Sequence, residues 1–306
     1  MTEFLNQKEF FICEPVLDSY KDDIASMEHP VFSLSKRPDY RMLEYNYNGF
    51  NIKIKPSYTG LATIFDKDIL LYLASCLMSA KNNTEPVCQT VRFTSYDYLV
   101  STGKDFSGVR YRQIKEALER LKGTVIQTNI KTNRRVVTTE FSLIDSWGAV
   151  KEDELGRAIA IEIKISDWFY NSIIGNEMLT ISPEYFKLKK PTDRRIYELA
   201  RKHCGNQTVW KIKLDNLKEK IGSTSSIRKL RFNLNQLTKA NTIPEYNISM
   251  KDDVVMFSRK EPPRENKTPD HLPKHVTKKE VEKQAKPGES YDQAADRIKK
   301  LKAALK

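Results

Sequence analysis

Six side chains near the end of this chain have the chemistry to read a nucleic acid: Arg228, Lys229, Arg231, Asn235, Gln236 and Lys239. Arginine offers a planar fork of donors that fits the major-groove edge of guanine. Asparagine and glutamine offer a donor and an acceptor that fit adenine. Lysine adds a point charge suited to phosphate. No Asp or Glu interrupts the segment from Ser223 to Lys239. To act together, these side chains must share one helix face. Ile227, Leu230, Leu234 and Leu237 recur at spacings of three, four and three, which makes one apolar stripe at the helical period. With that stripe inward, the spacing predicts a helix within Ser223–Lys239 whose outer face carries the polar set. Phe232 falls on the outer face as well. It is either a thymine-methyl contact or a ring tucked beneath the hairpin that follows, and the sequence leaves both open.

The flanking elements place this helix in a recognisable order. Val209–Lys213 reads as a strand, Asp215–Ile221 as a short helix stopped by Gly222, and Tyr246–Met250 with Val254–Ser258 as a hairpin around Lys251-Asp252-Asp253. Helix, turn, helix and hairpin make a winged helix. The same order occurs upstream. Val91–Phe93 is strand-like, Thr94 caps a helix over Ser95–Ser101, and Gly103 ends it. A longer helix over Ser107–Lys122 buries Tyr111, Ile114, Leu118 and Leu121 at the same three, four, three spacing. Strands Val125–Lys131 and Val136–Ile144 then flank the turn Thr132-Asn133-Arg134-Arg135. The two long helices align without a gap, YRQIKEALERL against IRKLRFNLNQL, as an internal duplication would.

The two copies differ in charge. Residues 187–260 hold 18 Lys and Arg against 7 Asp and Glu, and residues 91–135 hold 10 against 4. The outer face of the first long helix is mixed, with Arg112, Gln113 and Arg120 beside Glu116 and Glu119. Its basic surplus comes from Arg110, Lys115, Lys122, Lys131, Arg134 and Arg135, and the last two sit at the expected hairpin tip, a natural phosphate contact. This copy is therefore expected to touch DNA backbone or to dimerise. A third helix, led by Pro191-Thr192-Asp193, carries Arg194, Arg195, Arg201 and Lys202 and is expected to clamp the backbone beside the second copy.

The predicted fold class is α+β: two tandem winged-helix domains and a disordered basic tail. The expected divisions are 1–30, a largely irregular or marginally helical N-terminal segment; 31–175, the first domain; 176–260, the second and main DNA-binding domain; and 261–306, the tail. Within the first domain, Met42–Tyr47 and Phe50–Lys55 read as a hairpin around Asn48-Gly49, residues 65–80 as an apolar helix, residues 158–165 as a strand, and Ser166-Asp167 as the start of a helix to Ile174. The tail scatters five prolines among charges, a composition that cannot build a core. Tyr291–Leu305 has the spacing of one short amphipathic helix.

Other chemistries lack their residues. The net charge of +12 fits a polyanion partner. No apolar run approaches the ~20 residues that span a bilayer, and no signal pattern opens the chain, so a cytoplasmic location is expected. Cys13, Cys76, Cys88 and Cys204 form no C-x-x-C pair, and reduced thiols are expected. There is no G-x-x-x-x-G-K-[ST] loop. His29, His203, His271 and His275 make no metal-binding pair, and His203-Cys204 alone is short of a zinc site. No catalytic residue, metal or cofactor is expected.

Several longer motifs carry a family likeness: FSLSKRP at 32–38, TGLATIFDKDIL at 59–70, VRFTSYDYL at 91–99, ALERLKGT at 117–124, FSLIDSW at 141–147 and RRIYELARKHCG at 194–205. In this order they resemble the replication initiator protein A family of bacterial plasmids over roughly residues 28–240. The resemblance implies a non-enzymatic initiator that binds repeated origin sequences (iterons), melts or bends the DNA, and helps recruit the host initiator and replicative helicase. It also implies a monomer–homodimer equilibrium, with dimerisation through the first domain and control of copy number. Phe232 departs from the basic or polar residue expected there in relatives. The alternative from a different class is a winged-helix repressor on a palindromic operator. Duplication within one chain argues against it, since such regulators usually obtain two units by dimerising.

Overall fold

A computed structural model describes residues 10–14, 20–47, 49–136, 140–152, 154, 158–260 and 297–298. In chain order the elements begin with β1 (Phe11–Ile12), β2 (Tyr20–Asp23), α1 (Ile24–Glu28), β3 (Leu43–Tyr47), β4 (Phe50–Lys55) and α2 (Lys67–Asn82). Next come β5 (Thr90–Thr94), α3 (Ser95–Ser101), α4 (Gly108–Gly123), β6 (Val125–Thr128), β7 (Lys131–Thr132), β8 (Arg135–Val136), β9 (Phe141–Ser142), β10 (Ile144–Glu152), β11 (Ala158–Ile165) and α5 (Asp167–Ile174). The last set is β12 (Met178–Ile181), a 3-10 turn at Pro183–Lys187, α6 (Pro191–His203), β13 (Val209–Lys213), α7 (Leu214–Ile221), α8 (Ile227–Ala240), β14 (Tyr246–Lys251) and β15 (Val254–Arg259). The expected tail lies outside the described residues except for Arg297 and Ile298, which are helical.

Local chemistry explains most of the boundaries. The side chains of Thr94, Ser166 and Ser226 each accept a backbone N–H at the start of α3, α5 and α8, satisfying a donor the helix cannot. Gly222 ends α7 at φ +73°. A Cβ there would stand 2.6 Å from that of Pro30, so both backbone and packing demand glycine.

Three sheets organise the chain. One has the order β1-β5-β11-β10, a second β3-β4-β6-β9, and a third β13-β15-β14. The two units share an order of elements and a pairing pattern. In each copy a strand leads into two helices and then a hairpin, and the second hairpin strand pairs back onto the leading strand: β5 with β11, β13 with β15. The matching hairpin of the first copy is thus β10–β11, downstream of the one expected at 125–144. Residues 125–143 form an insertion. β6 pairs with β4 and β9, while β7 and β8 make a small separate ribbon. The predicted Val125–Lys131 strand breaks because the Asn129 side chain accepts from the Asn51 N–H at 3.0 Å and donates to the Gly49 carbonyl at 2.8 Å. It ties the insertion to the β3–β4 turn in place of a continued ladder.

Two apolar clusters hold these elements. The first includes Leu73, Leu77, Leu99, Leu118, Ile163 and Trp168. The second includes Leu199, Leu217, Leu230, Leu234, Tyr246 and Phe257, and also takes in Tyr20, Met27 and Leu71. The expectation of a largely irregular or marginally helical N-terminal segment meets the short helix α1, and it needs correcting in the rest of the described part. β1 joins a sheet beside β5, β2 pairs with β12, and Asp22 and Asp23 are buried. These pieces are too short to show a period and gain their burial from distant partners.

Candidate nucleic-acid interface

α8 is built to present one face. Leu230, Leu234 and Leu237 are buried beneath it, each worth roughly 1.5–3 kcal/mol over an exposed position. Ser226 caps its start, and Asn241 closes its end in the left-handed conformation at φ +46°. Opposite the leucines, Arg228, Lys229, Phe232, Asn235, Gln236 and Lys239 are all exposed. The structure thus brings together five of the six polar side chains singled out on this helix. The sixth, Arg231, turns aside. Its Nε and Nη2 donate to Asp253 at 2.9 and 2.7 Å, so its fork ties α8 to the β14–β15 turn. That turn runs through Asp252 and Asp253 at φ +49° and +58°, a conformation in which Asp is favoured. The tip of this hairpin carries Asp252 and Asp253, while Lys211, Lys213 and Lys251 of its sheet and Lys239 of α8 are exposed.

The expectation that Arg194 and Arg195 clamp DNA is corrected. They are 2% and 3% exposed. Arg194 pairs with Asp68 of α2, donates to the Leu188 carbonyl at 2.9 Å, and lies over the rings of Phe65 and Tyr185. Arg195 donates to the carbonyls of Ser26, Met27 and Glu28 at the end of α1 and of Lys220 near the end of α7. Carbonyls at helix ends lack internal partners, and this guanidinium serves two ends at once. It fixes α7 just before the Gly222 turn from which α8 departs. Through α7 it positions α8.

Beside them runs a buried ionic chain. Lys67 Nζ lies 2.8 Å from Asp22 and 3.0 Å from Glu198, and Glu198 accepts from Arg195 at 3.0 Å. Burial alone would lower the Lys67 pKa, but the facing carboxylates raise it and keep the ammonium charged. Burial likewise opposes ionisation of Asp68, yet Arg194 and Lys104 hold its pKa below the usual carboxylate range. Glu28 sits among Lys202, His203 and Lys220, and His203 stacks on Trp210 at 4.5 Å. Most of these partners lie far apart in sequence, 45 residues for Lys67 and Asp22, 131 for Lys67 and Glu198 and 126 for Arg194 and Asp68, so no local signal marks them.

The first copy presents a weaker face. Arg112 is exposed 3.7 Å from Glu116. Arg110 donates to Asp105 at 3.0 Å and to the exposed Gln113 at 2.8 Å. Lys115 is half-buried. Arg120, expected on the outer face, instead makes a two-point bond to Asp66 at 2.8 Å in each arm, pinning α4 to the start of α2. Arg134 is exposed at φ +61° in the β7–β8 turn, and the Arg135 backbone lies in β8. Both therefore sit on the insertion and not on the hairpin that matches β14–β15. The start of α4 shows apolar groups that the sequence reading passed over. Tyr96 and Phe106 stack at 5.1 Å in the open, beside exposed Val109.

Among the described residues, no helix is long and apolar enough to cross a membrane, and no cluster of three His, Cys, Asp or Glu is placed to hold a metal ion. The four cysteines are unpaired, with Cys13, Cys76 and Cys204 buried.

Compared with known proteins, the family model for replication initiator protein A matches residues 21–248. A protein of Wigglesworthia glossinidia brevipalpis named "Putative replication protein" is 44% identical over 259 residues, 83% of this chain and 94% of that one. A crystal structure of selenomethionine derivatives of domains 2 and 3 of RctB has a TM-score of 0.57 at 14% identity, covering 78% of this chain and 98% of that chain. Another crystal structure of RctB domains 2–3 has a TM-score of 0.52 at 14% identity, covering 75% and 95%. At that identity the likeness concerns the α+β fold alone. The family match spans most of the chain, and so the chain belongs to the replication initiator protein A family.

Proposed function

We propose that this initiator recognises repeated double-stranded sequences at a plasmid origin, with α8 as its principal reading helix. The observation that carries this reading is the α8 face: exposed Arg228, Lys229, Asn235, Gln236 and Lys239, free of acid and backed by a leucine stripe. These are the residue types that distinguish bases in the major groove. Each copy works as a winged helix. The second (176–260) reads bases, and the first (31–175) contacts backbone and dimerises. The neutralised charges of α4, with Arg112 beside Glu116 and Arg120 bound to Asp66, support that division. Two units about one helical turn apart cover a site of roughly 20 bp.

The protein acts in the cytoplasm without cofactor or catalysis of its own. It passes between monomer and homodimer to control copy number, and engages the host initiator and replicative helicase. Footprinting on the origin of its own replicon at about 150 mM salt tests the reading. Evenly spaced protection over direct repeats, lost in an Arg228→Ala/Gln236→Ala variant, is expected. Protection of a single promoter palindrome would replace it with a repressor. Salt-sensitive smearing alone would remove sequence reading altogether.

A further inference from the structure

The centre of the α8 face is occupied by a side chain that can bond to neither phosphate nor a polar base edge. Phe232 is 61% exposed. It stands one turn after Arg228 and one turn before Asn235 and Gln236, so all four share one surface. The hairpin does not cover it, because the two-point bond between Arg231 and Asp253 fixes the β14–β15 turn along the adjoining flank of the helix. A single exposed phenylalanine is ordinary on a protein surface. Its place in the middle of an acid-free, hydrogen-bonding face is what gives it meaning.

The major-groove edges of the four base pairs offer donors, acceptors and one apolar group, the 5-methyl of thymine. A ring carried into the groove by α8 therefore has one complementary target. We propose that Phe232 is a specificity-determining residue that reads the methyl group of a thymine lying between the bases contacted by Arg228 and by Asn235 or Gln236. This rests on the reading of α8 as the helix that enters the groove. It makes the protein sensitive to a group that leaves Watson–Crick pairing untouched.

The test is a thymine-to-uracil scan through the footprinted site, with equilibrium affinity measured for the parent and for Phe232→Ala. Phe232 is exposed, so the variant keeps its fold, and an unchanged melting temperature checks this. One uracil position, or two adjacent ones, should weaken the parent about fourfold, the effect of one buried methyl. Phe232→Ala should bind the natural site more weakly and be indifferent to that same uracil. A parent that binds specifically yet ignores uracil everywhere overturns the proposal and leaves the α8 reading intact. Equal losses in parent and variant also overturn it, since another residue would then sense the methyl. If no specific complex forms with either protein, the α8 reading falls and the methyl contact falls with it.

Discussion

Replacing Arg194 with methionine separates a buried strut from a surface clamp. The guanidinium is 2% exposed. It pairs with Asp68 and donates to the carbonyls of Leu188 and Phe186 at 2.9 and 3.3 Å. Methionine preserves the apolar stem but removes every donor and the guanidinium that lies over Phe65 and Tyr185. Asp68 keeps Lys104 at 2.8 Å, so its charge is only partly stranded. The cost therefore falls near the lower end of the ~3–5 kcal/mol for breaking a buried pair. A loss of about 3 kcal/mol lowers Tm by roughly 6–12 °C in a folded unit of this size. Guanidinium unfolding followed by tryptophan fluorescence, with a thermal melt, measures it. Asp68→Asn strands two cations and should cost more. An exposed arginine would change stability by about 0.5 kcal/mol or less. If Arg194→Met is as stable as the parent but loses DNA affinity, the reasoning is refuted and α6 is a clamp after all.

Three further outcomes follow from the geometry. Gly222→Ala places a Cβ at φ +73° and 2.6 Å from Pro30, and should destabilise by about 1–2 kcal/mol or more in denaturant titration; a neutral result would mean that the α7–α8 turn is loose. His29 is held at a pKa of about 4 against 6.5, chiefly by burial. The unfolded chain takes up that proton below pH 6.5 and the folded chain does so only near 4, so stability should fall as pH drops through this window, by up to about 3 kcal/mol. Urea titrations at stepped pH should show this fall, and His29→Phe should remove it between pH 6.5 and 4.5, above the carboxylate range. Lys229→Ala should weaken DNA binding similarly for all sequences and reduce the slope of log affinity against log salt by about one; an unchanged slope would mean that Lys229 meets no phosphate.

Much of the fold was legible because its signals are local. Thr94 and Ser166 cap helices where a hydroxyl precedes an apolar period. The alternation of Ala158–Ile165 gives its strand directly. The leucine stripe of α8 fixed which side chains face outward, and five of the six polar residues chosen on it are exposed. What was hidden depends on distant partners. Arg194 and Arg195 carry the charges of a solvated face, and only Asp68, Ser26 and Met27, more than 100 residues away, make that face a core. Arg120 reads as outward-facing for the same reason, its partner Asp66 standing at the start of α2, 54 residues away. The strand-like runs directly after α4 predict the first hairpin there, whereas the matching hairpin is β10–β11. The insertion at 125–143, tied down by Asn129, has no counterpart to betray it.

The central claim is that DNA is read from the outer face of α8. The most direct measurement compares affinities for an origin fragment by fluorescence anisotropy between two double variants. Arg228→Ala/Gln236→Ala removes two side chains suited to base edges, each worth about 1–3 kcal/mol, and should lose roughly 30-fold or more. Arg112→Ala/Arg134→Ala, on the first copy and its insertion, should lose less than about tenfold, as backbone contacts do. An α8 variant that binds as tightly as the parent, or a larger loss from the first copy, would contradict the account.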